Sequence, residues 1–346
     1  MNCFISVINV LLCFSSLFYV TLSETLCPSN DLISPCICNQ VDDRSEISCE
    51  NLQEFDMKNV FGNFKTKKFV FDSLIISNTT IESIDEKTFS KVGFKRIEIK
   101  DNEHLTTISH EAFNTELNLQ NLTKEFIAMN NPQLGKNQYD SVGKLFSFLK
   151  GFINIELIIM RNNGIESVPD DAFGDKWEKH LKRLKRVDLG QNSISDIGSY
   201  AFYNLKKLKV LNLERNLLTR ISPDAFSFEE DEDELLIDLS LNPTLDYIDS
   251  EVFGVKVTRK IDLNLAYCGL EEFNRNVFEP IIRMKGGINM TGNDMKICDC
   301  NLRWLYELVC MKKKLTKIIE SVTNLKCNGV DAVSYTHLTL PTIYSV

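Results

Sequence analysis

Val187-Asp188-Leu189-Gly190-Gln191-Asn192 and Leu211-Asn212-Leu213-Glu214-Arg215-Asn216 are one phrase written twice. Two aliphatic residues stand one apart, and an Asn follows three residues after the second. The phrase returns as Ile97-x-Ile99-x-x-Asn102, Ile158-x-Met160-x-x-Asn163, Ile237-x-Leu239-x-x-Asn242 and Ile288-x-Met290-x-x-Asn293. Weaker copies end on Thr79, Asn131 and Cys268, so the nine key positions lie 23 to 32 residues apart. A period of that size is the signature of a solenoid, in which each repeat completes its core only against the next.

The phrase has a physical form. A strand alternates its side chains between two faces, so Leu211 and Leu213 both point into the stack. The Asn stands where the chain turns off the strand, and its amide supplies donors and an acceptor to backbone groups that would otherwise be buried unpaired. Thr79 and Cys268 replace only a donor, and Cys268 reads as a buried thiol in that ladder, not as a nucleophile or half of a disulfide. Ten or eleven residues after most key positions comes a small or β-branched residue and Phe: Thr88-Phe89, Ala112-Phe113, Ala172-Phe173, Ala201-Phe202, Ala225-Phe226, Val252-Phe253 and Val277-Phe278. Residues 114–150 hold no clear copy. The expected fold is an α/β-type leucine-rich repeat horseshoe of about nine repeats over residues 53–294, with a parallel concave β-sheet and a convex Phe spine.

The ends read differently. Residues 1–23 carry no charge, and Thr21-Leu22-Ser23 sets small residues at −3 and −1, which predicts a signal peptide cleaved before Glu24. The absence of a basic n-region leaves an uncleaved anchor as the alternative. Entry to the secretory route makes the cysteines readable as disulfides; of 11 Cys, Cys3 and Cys13 leave with the signal. Residues 333–346, beginning Val-Ser-Tyr-Thr-His-Leu-Thr-Leu-Pro-Thr, read as an in-frame translation of a sequencing-library adapter and are set aside as non-native. On that reading the chain breaks off inside a C-terminal cap, and attachment to a membrane stays open.

The net charge of −9 argues against nucleic acid as the main partner. Charge is also ordered by rung: Lys182, Arg183, Lys185 and Arg186 precede one repeat, Lys206, Lys207 and Lys209 the next, and the six acids Glu229 to Glu234 the one after. Mutual neutralisation along one edge accounts for this, and neither a calcium loop nor a polyanion site has its ligand pattern here. The signatures of hydrolases, zinc proteases and nucleotide-binding loops are absent, and His104, His110 and His180 form no ligand-spaced pair, so no catalytic, metal or cofactor residue is assigned.

The face expected to bind is the concave one. Its middle rungs carry Ile127, Met129, Leu157 and Ile159, an apolar patch that a solvated sheet does not need. Asp188, Asn212, Asp238, Asn264 and Asn289 continue the row as polar residues, with Arg161 and Tyr267 as anchors. Three sequons occur, at Asn78, Asn121 and Asn289. Asn78 and Asn289 are expected on the concave face near opposite ends, where glycans would confine large partners to the middle.

Cys27-Pro…Cys36-x-Cys38…Cys49 (within residues 24–52) resembles the N-terminal cap of extracellular leucine-rich repeat proteins, and the resemblance implies the pairs Cys27–Cys38 and Cys36–Cys49. Cys298-Asp-Cys300-x-Leu-x-Trp-Leu305 with Cys327 (within residues 295–332) resembles the matching C-terminal cap; Cys310 is extra to that pattern. With no His nearby, a zinc site is disfavoured. The caps and Ala/Val-Phe repeats together are similar to small arthropod secreted leucine-rich repeat proteins, including the kind described as a non-catalytic subunit of a luciferin monooxygenase. The resemblance implies a non-enzymatic extracellular protein binding a protein partner through its concave face. The alternatives are a non-catalytic subunit supporting a secreted enzyme, or a membrane-receptor ectodomain whose C-terminus is missing.

Overall fold

The computed structural model describes residues 27–54, 56–64, 69–114, 118–136, 142–173, 181–203, 205–228 and 234–295, with Trp304 and the strand pairs 322–323, 326–327 and 330–331. The segment 1–23, Cys298, Cys300, Cys310, His180, the acids 229–233 and the tail 333–346 lie outside the described residues, as does the side chain of Cys327.

Two aliphatics per rung on one side of a strand produce one curved sheet in chain order. Its strands are β1 (Ile37–Val41), β2 (Arg44–Glu50), β3 (Phe69–Ser77), β4 (Val92–Lys100), β5 (Glu125–Met129), β6 (Leu157–Arg161), β7 (Arg186–Asp188), β8 (Val210–Asn212), β9 (Leu235–Asp238), β10 (Ile261–Asn264), β11 (Ile288–Asn289) and β12 (Val322–Thr323). The pair β1–β2 is antiparallel. Later strands run parallel, rung on rung, as in Val187↔Leu211↔Ile237↔Leu263. A parallel pair cannot be closed by a hairpin, so each rung returns through a convex segment. Those segments are mostly turns, with two-residue strands such as Ser167–Val168, Asp196–Ile197 and Arg220–Ile221. Helix is sparse, and Arg275–Arg283 is the longest helix described. The solenoid is therefore largely β.

The buried amides close the turns. Asn131 Oδ1 accepts from the backbone N–H of Asn102 at 3.1 Å, and Asn163 Oδ1 does the same for Asn131 at 3.1 Å. Asn216 Nδ2 reaches back to Leu189 O at 3.1 Å, and Asn242 Nδ2 to Leu213 O at 3.1 Å. Cys268 occupies the same slot, its thiol donating to Leu239 O at 3.2 Å. Burial pushes this thiol up to about 12, which keeps it protonated. Turning off the strand also forces the preceding residue into the left-handed region. Asn78, Asp101, Asn130, Asn162, Gln191, Arg215, Leu241 and Tyr267 have φ between 49° and 59°. Asn and Asp tolerate this well; Leu241 and Arg215 pay about 1–2 kcal/mol, which only a strongly determined turn can hold.

On the convex side the period-locked Phe residues stack. Phe173, Phe202 and Phe226 follow one another at centroid spacings of 5.3 and 6.0 Å. Where residues 114–150 lack the motif, the helix Val142–Ser147 and the short turn of helix Phe148–Gly151 supply substitutes. Phe146 packs on Phe173 at 5.3 Å, and Phe148 and Phe152 lie 5.9 and 5.4 Å from Phe113. At the N-terminal end, disulfides Cys27–Cys38 and Cys36–Cys49 pin the β1–β2 hairpin over the first rungs, and Cys36 and Cys49 are buried.

Candidate functional site: the concave sheet face

The registers bring one row of side chains into line: Glu98, Ile127, Ile159, Asp188, Asn212, Asp238, Asn264 and Asn289. Two flanking rows run beside it, Arg96, Glu125, Leu157 and Arg186 on one side and Lys100, Met129 and Arg161 on the other. Neighbouring strands are about 4.8 Å apart, so every residue touches its counterparts on adjacent rungs.

Two charge networks stand either side of the apolar rungs. In the first, Glu98 lies between Arg96 and Lys100, and Arg96 also holds Glu125. Burial pushes the Glu98 carboxyl up, but the hydrogen bonds and charges of Lys100 and Arg96 outweigh it and leave the group below its usual range. In the second, Asp188 is 1 % exposed. Arg161 Nη1 donates to its two oxygens at 3.0 and 3.2 Å, Arg186 Nη2 at 2.9 Å, and the Gly190 N–H at 3.1 Å. Arg161 Nη2 extends the chain to Glu214 at 2.6 Å. Desolvation lowers the Arg161 pKa, and Glu214 and Asp188 more than reverse it, so the guanidinium stays charged. Gly190 makes room for this network: a Cβ there would sit 2.9 Å from Arg161 Nη1.

Between the networks, Leu157, Ile159 and Met129 are half-buried. Ile127 differs from the expectation. It is 5 % exposed although it stands apart from the solenoid core, because a residue flanked on the same face by β4 and β6 is covered by its neighbours. The open strip is therefore Leu157, Ile159 and Met129. Beyond Asp188 the row becomes an amide ladder. Asn264 Nδ2 donates to Asp238 Oδ1 at 3.0 Å, and Asn289 Nδ2 to Asn264 Oδ1 at 2.9 Å.

Two placements correct the sequence reading. Tyr267 lies beyond the end of β10, in the left-handed turn, and so is not part of the strand row; it is 56 % exposed. Its ring lies where a Cβ on Gly292 would stand, 2.4 Å away. Asn78 likewise sits in the turn after β3, where its Nδ2 donates to Asn51 Oδ1 at 2.6 Å. Asn289 is on the concave face, and Asn121 is half-buried in the 3-10 turn Leu119–Leu122. Sequence reasoning gave no role on this face to Arg96, Glu98, Lys100 and Glu214, and took Arg186 only as one of the rung-ordered basic residues. Glu98 sits between Ile97 and Ile99, so its row was already marked; what carried no signal was its pairing across rungs.

Two of the rung-ordered charges, among the described residues, pair with rungs other than the expected ones. Lys185 bonds Glu156 on the preceding rung at 2.6 Å, and Glu234 bonds Lys260 on the following one at 2.8 Å. Among the described residues no three His, Cys, Asp or Glu side chains gather as a metal cage, and no described helix is long and apolar enough to cross a membrane.

Parallel rungs, buried amide ladder, Phe spine and disulfide-pinned hairpin define a leucine-rich repeat solenoid fold with an N-terminal cysteine cap. Residues 58–175 match the family described as BspA type leucine rich repeat region, and residues 182–230 match the leucine rich repeat family. Toll-like receptor 10 of Bos taurus is 27 % identical over 160 residues, which is 43 % of this chain and 19 % of that protein. The chain thus spans about a fifth of that relative's length. Among solved structures, human 5T4 (Wnt-activated inhibitory factor 1, trophoblast glycoprotein) is similar with a TM-score of 0.42 and 18 % identity, over 64 % of this chain and 82 % of that one. A chain of the octameric complex of latrophilin 3, Unc5D and FLRT2 is similar with a TM-score of 0.49 and 18 % identity, over 89 % and 97 %.

Proposed function

We propose that this chain is a non-enzymatic extracellular recognition module that binds a protein partner across the concave face. The observation that carries the reading is the half-buried strip Leu157, Ile159 and Met129, held between two internally neutralised charge networks. A sheet face that only meets water has no use for such a strip, and a partner's apolar side chains recover its burial. Arg161 borders the strip, and the row Asp188, Asn212, Asp238, Asn264 extends the contact as a polar rim; Ile127 lies beside it on the same face, covered by its neighbours. Tyr267 serves as a separate contact at the edge. Residues 1–23 act as the secretion signal, 24–52 and 295–332 as caps, and Asn78, Asn121 and Asn289 as glycan acceptors.

Of the broader readings, a receptor ectodomain is favoured by the match to Toll-like receptor 10. A non-catalytic subunit of a secreted enzyme, the role implied by the resemblance to the luciferin monooxygenase kind, uses the same face. The test is a glycan wedge. Leu157→Asn with Ile159→Thr creates a sequon on the strip, and the secreted variant and parent are compared as multimerised probes on an array of extracellular domains. Binding that appears with the parent and vanishes with the wedge supports the reading. Binding that tolerates the occupied wedge rejects it.

A further inference from the structure

The N-terminal edge of the sheet is β1, and among the described residues nothing pairs with its outer side. Natural edge strands avoid joining another chain by carrying charge or proline. This one, Ile37-Cys38-Asn39-Gln40-Val41, has neither. Ile37 and Val41 are instead 59 % and 66 % exposed.

The direction of each side chain and peptide group follows from the pairing with β2. Ile37, Asn39 and Val41 stand opposite Ser48, Glu46 and Arg44, on the face away from buried Ile47 and Cys49. That is the concave face. The hairpin closes through Asp42 and Asp43, with φ of 49° and 61°, a two-residue turn of the primed kind. Val41 and Arg44 are therefore a hydrogen-bonded pair, and alternation gives Asn39–Glu46 and Ile37–Ser48 the same status. The N–H and C=O of Cys38 and Gln40 consequently point outward.

We propose that β1 is a homotypic docking edge, to which a second copy of this chain adds its own β1 antiparallel, about a two-fold axis at Asn39. In that register Cys38 of each copy exchanges backbone hydrogen bonds with Gln40 of the other. Ile37 then faces the second copy's Val41 in a non-hydrogen-bonded pair, the kind in which side chains are closest. The two exposed apolar residues of one strand cover those of the other, and the strand is complementary to itself. Charge selects the direction. Parallel addition would bring both Asp42-Asp43 tips together, whereas antiparallel addition sets the two Asp42 about 20 Å apart along the strand, beyond a screening length of about 8 Å. Two five-residue strands bury less than the ~1,200 Å² of a standing interface, so the dimer forms and dissociates with concentration. Once formed, it joins two concave faces into one continuous surface.

Sedimentation equilibrium of the full secreted chain, from about 1 to about 500 µM, tests this independently of any concave-face partner. A reversible monomer–dimer equilibrium is expected. Val41→Glu raises the dimer Kd about tenfold or more, because the two-fold inserts each substitution twice. Gln40→Pro does the same by removing an outward N–H while the β1–β2 bonds stay intact. Ile37→Lys combined with Val41→Glu restores the dimer, since the register sets the new charges opposite each other, and salt weakens the restored pair. Leu217→Lys, at another exposed apolar position (51 %), changes nothing. A chain that stays monomeric throughout overturns the proposal. So does a dimer unmoved by Val41→Glu and Gln40→Pro, or one that persists on a non-reducing denaturing gel and is therefore joined through cysteine.

Discussion

Replacing Asn216 by Ala tests whether the ladder amide stabilises the turn by satisfying a donor or by filling space. Asn216 is 2 % exposed. Its Oδ1 accepts from the Ile194 N–H at 3.0 Å, and its Nδ2 donates to Leu189 O at 3.1 Å, to Leu213 O at 2.9 Å and to Glu214 O at 3.3 Å, a carbonyl that also accepts from the Gln191 N–H at 2.9 Å. Counting all four groups as orphaned at about 1–3 kcal/mol each overstates the loss. Leu189 O also accepts from Asn192 Nδ2 at 2.8 Å, and Leu213 O from Asn242 Nδ2 at 3.1 Å, so both carbonyls keep a partner. Only the Ile194 N–H is left bare, which puts the cost at about 2–3 kcal/mol once the small cavity is included. Asn216→Asp separates the two roles, because it keeps the acceptor but turns a carboxylate oxygen toward three carbonyl oxygens; at pH 7 it costs more than Asn216→Ala. Urea unfolding at constant m gives the global figure. Native-state hydrogen exchange of the Ile194 amide gives the local one, with protection falling about thirtyfold or more in the Ala variant. Unchanged exchange at Ile194 together with a loss below about 0.5 kcal/mol would refute the accounting.

Three further outcomes follow from individual contacts. Phe202→Ala, in a spine position with 0 % exposure between Phe173 and Phe226, costs about 3–5 kcal/mol by thermal or urea unfolding. Glu98 has its folded pKa depressed below 4.5, so its contribution is present above the unfolded pKa and is lost as pH falls through the folded one; Glu98→Gln removes it, and the stability curves of the two proteins converge on acidification. Cys268, with its thiol held up at about 12, resists alkylation at pH 8 in the folded chain and reacts once unfolded, as peptide mapping of the labelled site reports.

The repeat was legible because a solenoid writes its core locally: two aliphatics and an Asn in six residues fix strand, turn and ladder at once. Even Cys268 could be placed, since the slot needs only a small group that donates to a carbonyl. The spine between Phe113 and Phe173 was not legible, because Phe146, Phe148 and Phe152 reach it from helical turns that break the ten-or-eleven-residue interval. Tyr267 was misplaced for a related reason. Strict alternation would put it with inward Leu263 and Leu265, and neither that count nor the concave reading applies, because the chain has already entered the left-handed turn there and φ rather than alternation sets the direction of the ring. Ile127 marks the other limit. Alternation gives the face of a residue and says nothing of its exposure, which neighbours on adjacent rungs decide.

The same lateral packing determines what the concave face can offer. Asp188 is saturated by two arginines and a backbone N–H, and Asn264 already both donates and accepts along its row. A partner gains little from polar groups that satisfy one another, since every new hydrogen bond there replaces an existing one. Leu157, Ile159 and Met129 carry no such prior commitment. On the proposed reading each regains about 25 cal/mol for every Å² that a partner removes from water, as does Leu236, 42 % exposed in the same flanking row as Leu157. The networks contribute differently. On the proposed reading they hold Arg161 and Lys100 at fixed positions beside the strip, already neutralised by their own carboxylates, so a charged partner group finds no uncompensated counter-charge and the networks act through positioning more than through attraction.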